Sequence, residues 1–238
     1  MAKAVNENCV FSVLTEKDLD SCVAFVHEYY TFSEPFRVIV DQYLDECPQI
    51  DTERIKKKLT DEASIGVFDK NGLLIATGFG GINDKFQSSL CCKCQTPAKD
   101  SSRYLSIING MISFLEDGLL DELQTNKFLM IAILVVHPSH RRMGLASKVV
   151  GKLEERAHDL GIGCVVVNAS SAYSQKLFEK LGYKKLRQLM YADFFDEKLQ
   201  CKPFIKPNPP HDSAVLYFKF INCSWFCKLV VMRLLFTS

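Results

Sequence analysis

The sequence lacks any marked excess of charge and any obvious targeting segment. Its 238 residues include 29 basic and 28 acidic side chains, a formal net charge of +1. A near-neutral chain has no general attraction for nucleic acid, so nucleic acid is not predicted as a partner. The opening residues contain no apolar core of the kind that a secretory signal needs, which favours a cytoplasmic protein.

The end of the chain is apolar, but it falls short of a membrane span. Residues 222–238 are interrupted by Lys228 and Arg233, whereas a spanning helix needs ~20 apolar residues. We therefore predict no stable membrane span. No linker or internal repeat divides the rest of the sequence, so we expect a single domain over residues 1–221, as a monomer, followed by an atypical apolar tail at 222–238.

Ten cysteines raise the question of a disulfide framework. Several of them, including Cys22, Cys164 and Cys227, fall in apolar segments, where a free thiol behaves as a small hydrophobic side chain. Without a secretory signal, we interpret the chain as reduced.

Cys91, Cys92 and Cys94 form the one dense cysteine cluster, for which zinc binding is the specific hypothesis. A zinc finger needs a second pair of Cys or His residues at a characteristic distance, and none follows. We favour a solvated loop with reactive thiols, and predict no metal site.

A buried strand followed by a basic turn and a helix is the most informative stretch. Residues 128–136 are apolar and rich in branched side chains, which is typical of a strand covered on both faces, and Pro138 stops it. After the basic turn, apolar residues recur at helical spacing: Leu145, Val149, Val150, Leu153 and Ala157. The turn at Gly144 therefore leads into a helix whose first N–H groups are free to bind an anion such as a diphosphate.

The remaining pattern predicts an α/β domain with a mixed central sheet flanked by helices. Asn71-Gly72 between two apolar runs is a strong hairpin signal. The other predicted elements are strands at 10–14, 64–68, 73–79, 164–168, 185–191 and 215–220, helices at 16–30, from Pro35, 53–59, 102–117 and 173–181, and an exposed loop at 83–102.

The spacing Arg141-x-x-Gly144-x-Ala146 after a buried strand resembles the phosphate-binding signature of the GNAT N-acetyltransferase superfamily. The resemblance implies the GNAT fold, in which two central strands splay apart and the pantetheine arm of acetyl-CoA lies between them. It implies acetyl-CoA as co-substrate. The residues it assigns to that co-substrate are Val135, Val136, Arg141, Arg142, Met143, Gly144, Leu145 and Ala146.

Further segments narrow the resemblance to the insect arylalkylamine N-acetyltransferases over residues 10–220. They are Ser33-Glu34-Pro35, the run 169–174, Leu181-Gly182-Tyr183, and the late segments 191–193, 202–203 and 209–211. In that branch the glutamate before proline is the general base, which implies Glu34 here. Two serines spaced like Ser170 and Ser174 support substrate binding and proton transfer, and the amine lies between the first two helices and the 83–102 loop.

The chemistry explains why such residues are needed. An amine arrives mainly as an ammonium ion, so a base must remove a proton before the nitrogen attacks a thioester. Glu34 suits this role if burial raises its pKa; otherwise it is an acidic helix-start residue stabilised by the dipole. Ser170 is equally explained as a helix N-cap, a position that Ser171 could also occupy. Many GNAT enzymes have a tyrosine that acts as the acid where Phe178 stands. A phenylalanine has no hydroxyl, so Ser174 or water becomes the more important candidate for the proton donor.

We therefore predict direct transfer of an acetyl group from acetyl-CoA to a small primary amine in a ternary complex. The expected amine is an arylalkylamine such as dopamine, tyramine, octopamine or serotonin. A backbone N–H on the central strand, near Val135, is expected to stabilise the thioester oxygen. Two alternatives remain open at this point: acylation of another amine, such as a polyamine or a peptide terminus, and a CoA-binding protein without turnover.

Overall fold

The computed structural model describes residues 9–31, 33–35, 52–84, 103–196, 200, 202–204 and 209–221, with only the backbone described at 103–106. The strands in this part of the chain are β1 Val10–Leu14, β2 Ser64–Phe68, β3 Leu74–Asp84, β4 Lys127–Val136, β5 Cys164–Ala169, β6 Lys184–Met190 and β7 Ser213–Phe220. The helices are α1 Leu19–Val26, α2 Thr52–Thr60, α3 Arg103–Glu116, α4 Leu119–Glu122, α5 Leu145–Asp159 and α6 Ala172–Lys180.

The seven strands form one mixed sheet in the order β1-β2-β3-β4-β5-β7-β6. Only the central pair, β4 and β5, runs parallel; the other neighbours are antiparallel. The predicted hairpin joins β2 to β3, and the carboxylate of Asp69 accepts hydrogen bonds from the N–H groups of Asn71 and Leu73 at 2.9 Å each. The mixed sheet flanked by helices that the sequence predicts is confirmed.

Helix α5 covers one face of the sheet. Its five predicted core residues are all buried, and they pack against side chains of β2 to β5 and β7. The helix approaches the sheet closely at Gly78, where an added Cβ atom would lie 2.7 Å from side-chain carbons of Val149 and Leu153. Close packing at this place fixes where the start of α5 lies relative to the end of β4.

The opposite face of the sheet is covered in three patches. Helices α1 and α2 pack around Phe79, helix α4 packs on β4, β5 and β7, and helix α3 packs near β6 around Tyr191 and Phe204. Cys22 and Cys164 are fully buried in these patches, as the sequence predicts. Burial raises the pKa of the Cys22 thiol to about 12, so this thiol stays protonated and unreactive.

The structure corrects the prediction in two places and leaves several predicted segments outside the described residues. The first helix, predicted as one run over 16–30, is a 3-10 turn, the α-helix α1 and then a π-helical turn at His27–Thr31. Strand β3 continues to Asp84, so the loop predicted from residue 83 begins later. Pro35 is helical as expected, but residues 36–51, most of the loop, the Cys91, Cys92 and Cys94 cluster, and the tail at 222–238 lie outside the described residues.

Candidate active site

The two parallel strands at the centre of the sheet separate partway along their length. Strand β4 runs to Val136 and β5 to Ala169, yet their pairing ends at Ile131 and Val167. Beyond that pair, no strand among the described residues pairs with the inner edge of β4 or β5. This is the gap between splayed strands that the resemblance implies.

A β-bulge lies at the point where the strands part. Phe79 is opposite Ile133, but the next residue, Gly80, is opposite Ile131, so Ala132 is an extra residue on β4. A bulge bends its strand and disrupts the ladder locally. The bulge therefore helps to direct β4 away from β5 at the start of the gap.

The ladder also determines which backbone groups of β4 face the gap. His137 N–H donates to the carbonyl of Ile75 on β3 at 2.9 Å, and backbone groups alternate in direction along an antiparallel strand. The backbone N–H and carbonyl groups of Val135 therefore face β3, whereas those of Leu134 and Val136 face the gap. Of the two valines expected to pair with a pantetheine arm, only Val136 has backbone groups that point into the gap.

The turn after β4 leaves the start of α5 open. Gly144 is the N-cap residue in the left-handed region, with φ 78°, and no side chain in the described part of the chain caps the helix there. Arg142 is also left-handed, with φ 62°, a conformation that non-glycine residues seldom adopt. An uncapped helix start beside two guanidinium groups is suited to binding a phosphate group.

Side-chain hydrogen bonds hold the turn against the end of β4. Arg141 Nε donates to the carbonyl of Val136 at 3.2 Å. Ser139 Oγ lies 2.7 Å from His137 Nδ1 and 2.8 Å from His140 Nδ1. Because the N–H of Ser139 also donates to His137 Nδ1, that nitrogen is the acceptor, and a neutral His140 would donate to Ser139 from its own Nδ1.

One cavity of about 770 Å³ connects the gap, the phosphate turn and the end of α1. Ten of the predicted site residues line it: Glu34, Val135, Val136, Arg141, Arg142, Gly144, Leu145, Ala146, Ser170 and Ser174. Met143, which was also predicted, is not among the described lining residues. Sequence reasoning missed further lining residues, namely Tyr29, Tyr30, His140, Asn168, Ser171 and His211.

Glu34 is buried in the wall of this cavity, just after the π-helical turn. Its relative exposure is 4%, and its N–H donates to the carbonyl of Tyr30 at 3.0 Å. Buried Thr31 supports the wide turn, because its hydroxyl donates to the carbonyl of Val26 at 3.2 Å. The turn places Tyr29 and Tyr30 on the cavity wall together with Glu34, and π-helical turns often occur at functional sites.

The two predicted serines, Ser170 and Ser174, do not both lie in helix α6. The N-cap of α6 is Ser171, so Ser170 precedes the helix while Ser174 lies in its first turn. Ser171 Oγ accepts from the N–H of Ser174 at 3.0 Å, and Ser174 Oγ accepts from the N–H of Ser171 at 3.3 Å. Of the two serines considered as the cap, the structure has Ser171, and both predicted site serines, Ser170 and Ser174, reach the cavity.

Two residues from distant parts of the chain hold the segment between β5 and α6. Tyr191 is fully buried, and its phenol donates to the carbonyl of Ser170 at 2.6 Å. Burial and the nearby Glu34 raise the pKa of Tyr191, so it stays a donor. His211 Nδ1 accepts from the N–H of Ala172 at 3.2 Å, and burial lowers the pKa of this imidazole.

Phe178 is almost fully buried, with its ring 5.0 Å from that of Tyr183. It lies at the cavity wall and offers no hydroxyl there. A proton donor at this place has to come from another residue or from water.

Comparison with known proteins places this geometry in a fold class. A family model described as FR47-like protein matches residues 110–192. Arylalkylamine N-acetyltransferase 2 from Aedes aegypti is 23% identical, with a TM-score of 0.78 over 91% of this chain and 100% of that chain. The chain has the fold of the GNAT N-acetyltransferases, as its phosphate turn suggests.

Other solved structures extend the likeness. The Drosophila melanogaster polyamine N-acetyltransferase, which catalyses the formation of N-acetylagmatine, is 20% identical over 90% of this chain and 100% of that chain, with a TM-score of 0.77. Arabidopsis thaliana NAA60 in complex with acetyl-CoA is 10% identical over 89% of this chain and 99% of that chain, with a TM-score of 0.53. The GNAT fold that the resemblance implies is thereby confirmed, and an insect arylalkylamine N-acetyltransferase is among the solved structures that share it.

Two structural features are absent from the part of the chain that the structure describes. No helix in that part is long and apolar enough to cross a membrane. No group of three or more His, Cys, Asp or Glu side chains in that part is arranged to hold a metal ion.

Proposed function

We propose that this protein is an acetyl-CoA-dependent N-acetyltransferase acting on a small primary amine, in particular an arylalkylamine. The observation that carries the proposal is that one cavity joins the open start of α5 at Gly144, the gap between β4 and β5, and the buried Glu34. An acyl donor and an amine could therefore meet in a ternary complex. No covalent enzyme intermediate is needed.

Each region has a distinct part in the proposed reaction. The phosphates of acetyl-CoA bind at the helix start and at Arg141 and Arg142, and the pantetheine arm pairs with Val136 in the gap. Glu34 removes a proton from the ammonium group, and the freed nitrogen attacks the thioester carbon. The C–S bond breaks and coenzyme A leaves as a thiolate, which takes a proton from Ser174 or water. The nitrogen gives up its second proton as the amide forms, and this proton restores Ser174 or passes to water.

The lining of the cavity supports an amine with one charge and an aromatic ring. Among the described lining residues Glu34 is the one carboxylate, so a second cationic group would have no described anionic partner. Tyr29 and Tyr30 lie on the same wall as Glu34 and can pack against a planar ring. The relatives point to both candidates, since one is an arylalkylamine enzyme and another acts on a polyamine.

Thiol release from acetyl-CoA with a panel of amines tests the proposal. We expect tryptamine, tyramine and dopamine to release free coenzyme A at a higher kcat/KM than agmatine or spermidine. Faster turnover of agmatine would replace the arylalkylamine with a polyamine. Binding of acetyl-CoA without thiol release for any amine or peptide N-terminus would indicate a CoA-binding protein without turnover. The cytoplasmic location, the monomeric state and the domain boundary at residue 221 stay predictions.

A further inference from the structure

The β5 side of the gap carries backbone groups that have no strand partner among the described residues. Ile221 N–H donates to the carbonyl of Gly163 at 2.9 Å, so alternate residues from Gly163 to Ala169 face β7. The backbone groups of Asn168 therefore face β4. Asn168 nevertheless lies just beyond the last residue pair between the two strands, Ile131 and Val167. Neighbouring strands with unpaired groups tend to pair, because a buried backbone group without a hydrogen bond is costly.

The end of β5 beyond Val167 is called the β5 arm here. A first side-chain contact ties this arm to helix α3. Asn168 Nδ2 donates to Glu116 Oε1 at 2.5 Å, across 52 residues of sequence. The other amide atom, Oδ1, is buried without a hydrogen-bond partner among the described residues, so the contact with Glu116 is what orients the side chain. Glu116 is the last residue of α3, and the contact attaches the arm to a helix on the face away from α5.

A second contact lies two residues further along. The phenol of Tyr191, at the end of β6, donates to the carbonyl of Ser170 at 2.6 Å. Tyr191 is fully buried between α3 and Phe204, so its position is determined by packing. Asn168, the first residue after the last β4–β5 pair, and Ser170, the first residue after β5, are therefore each held by a contact from outside the gap.

We propose that Glu116 and Tyr191 are positioning residues that hold the β5 arm away from β4, so that the gap is already formed when an acyl-CoA arrives. Without these contacts the arms could approach and pair, and the acyl donor would have to separate them. The apparent dissociation constant of the donor then equals its value for the open form divided by the fraction of molecules whose gap is open. This inference rests on the proposed function only in taking acyl-CoA as the ligand.

The same strand provides a matched control on its other edge. Gln175 Nε2 donates to the carbonyls of Ala169 and Ser213, at 3.2 and 2.9 Å. Ala169 faces β7, so this contact joins β5 to β7 and does not bear on the gap. Replacing Gln175 removes hydrogen bonds from the same strand without releasing the arm from its outer contacts.

The experiment measures the dissociation constant of acetyl-CoA by calorimetry, together with the thermal midpoint, for the full chain and its variants. We expect Tyr191→Phe and Glu116→Leu each to weaken binding by about 5–10-fold, the effect of one lost hydrogen bond, and the double variant to weaken it more. Glu116→Gln keeps an oxygen that accepts from Asn168 and should bind like the wild type. Gln175→Leu should lower the thermal midpoint and leave the dissociation constant unchanged.

Two outcomes overturn the inference. If Tyr191→Phe and Glu116→Leu bind acetyl-CoA as tightly as the wild type, the contacts do not hold the gap open. If Gln175→Leu weakens binding as much as they do, the effect is a general loss of stability. Failure of the proposed function is a separate result, because the wild type itself would then fail to bind acetyl-CoA or fail to release thiol.

Discussion

Ser171 and Ser174 form a reciprocal capping box in which their hydroxyl oxygens lie 2.9 Å apart. Each hydroxyl accepts a hydrogen bond from the backbone N–H of the other residue, which satisfies donors that the first turn of α6 would leave unpaired. Ser174 Oγ also donates to the carbonyl of Ser171 at 2.8 Å. Ser174, which is predicted to be catalytic, is thus also a structural residue, and its two roles have to be separated by measurement.

Replacement of Ser174 separates the two roles. We expect Ser174→Ala to lower kcat by about 10-fold or more, because the hydroxyl is the proposed proton donor at the cavity wall. Ser171→Ala should cost about 1 kcal/mol of folding stability, since it removes the N-cap itself. Ser174→Thr keeps a hydroxyl and should retain most of the activity. Loss of stability in Ser174→Ala with no change in kcat would leave this serine a purely structural role.

Replacement of Glu34 tests the proposed base. We expect Glu34→Gln to lower kcat/KM at neutral pH by about 100-fold or more, the range of general-base catalysis, and to remove the acidic limb of the pH–rate profile. Glu28 is an exposed glutamate on the π-helical turn, outside the described cavity lining, so Glu28→Gln is a matched control. A Glu34→Gln enzyme with the same pH profile as the wild type would remove Glu34 from the role.

The strands and helices that carry the site follow from periodicity, but their geometry does not. The apolar run at 128–136 and the helical spacing from Leu145 to Ala157 predict β4 and α5 to within a residue or two, because burial on two faces or on one stripe leaves a local pattern. The bulge at Ala132 leaves no such pattern. It depends on how β3, β4 and β5 meet, which is a tertiary property.

Several site residues were missed for the same reason. Tyr29 and Tyr30 reach the cavity together because the end of α1 widens into a π-helical turn, and a regular helical period does not anticipate that change. Asn168 and Glu116 are 52 residues apart in sequence, so nothing local connects them. The sequence leaves the cap of α6 open between Ser170 and Ser171, because helix boundaries are the least certain part of a sequence-based assignment, and in the structure the cap is Ser171.

Replacement of Tyr30 tests the aromatic wall. We expect Tyr30→Leu to lower kcat/KM for tryptamine by about 5-fold and to affect an aliphatic amine such as butylamine much less, because an aromatic pair contributes about 1 kcal/mol beyond area burial. The control is Tyr30→Phe, which keeps the ring and should behave like the wild type. An equal loss for both amines would show that Tyr30 supports the turn and does not select the ring.

Arg142 combines an unfavourable backbone conformation with a predicted role in phosphate binding. Its φ of 62° is accessible to glycine without the steric cost that other residues have. We therefore expect Arg142→Gly to be more stable than Arg142→Ala by about 1 kcal/mol in denaturant unfolding. Both variants lose the guanidinium group and should bind acetyl-CoA more weakly by the same factor. Equal stabilities would contradict the backbone argument, and unchanged binding would exclude Arg142 from the phosphate site.

Glu116 should make folding stability depend on pH. Burial raises its pKa to about 7, although Arg54, Lys58 and the bond from Asn168 act in the opposite direction. The folded state therefore keeps a proton that the unfolded chain releases near pH 4.5, so this residue lowers the stability progressively as the pH rises from about 4.5 to 7.

Replacing Glu116 with glutamine removes this titration while the side chain still accepts from Asn168. The stability of Glu116→Gln relative to the wild type should therefore increase between pH 5 and pH 7.5 by about 1–3 kcal/mol, measured by urea unfolding. Measurements stop at pH 7.5 because burial lowers the pKa of Lys58 to about 8, which adds a second titration above that range. Asp117→Asn, at the exposed residue next to Glu116, is the control and should show no such trend. A constant difference between Glu116→Gln and the wild type across this range would mean that Glu116 is ionised throughout, with its charge fully balanced by Lys58 and Arg54.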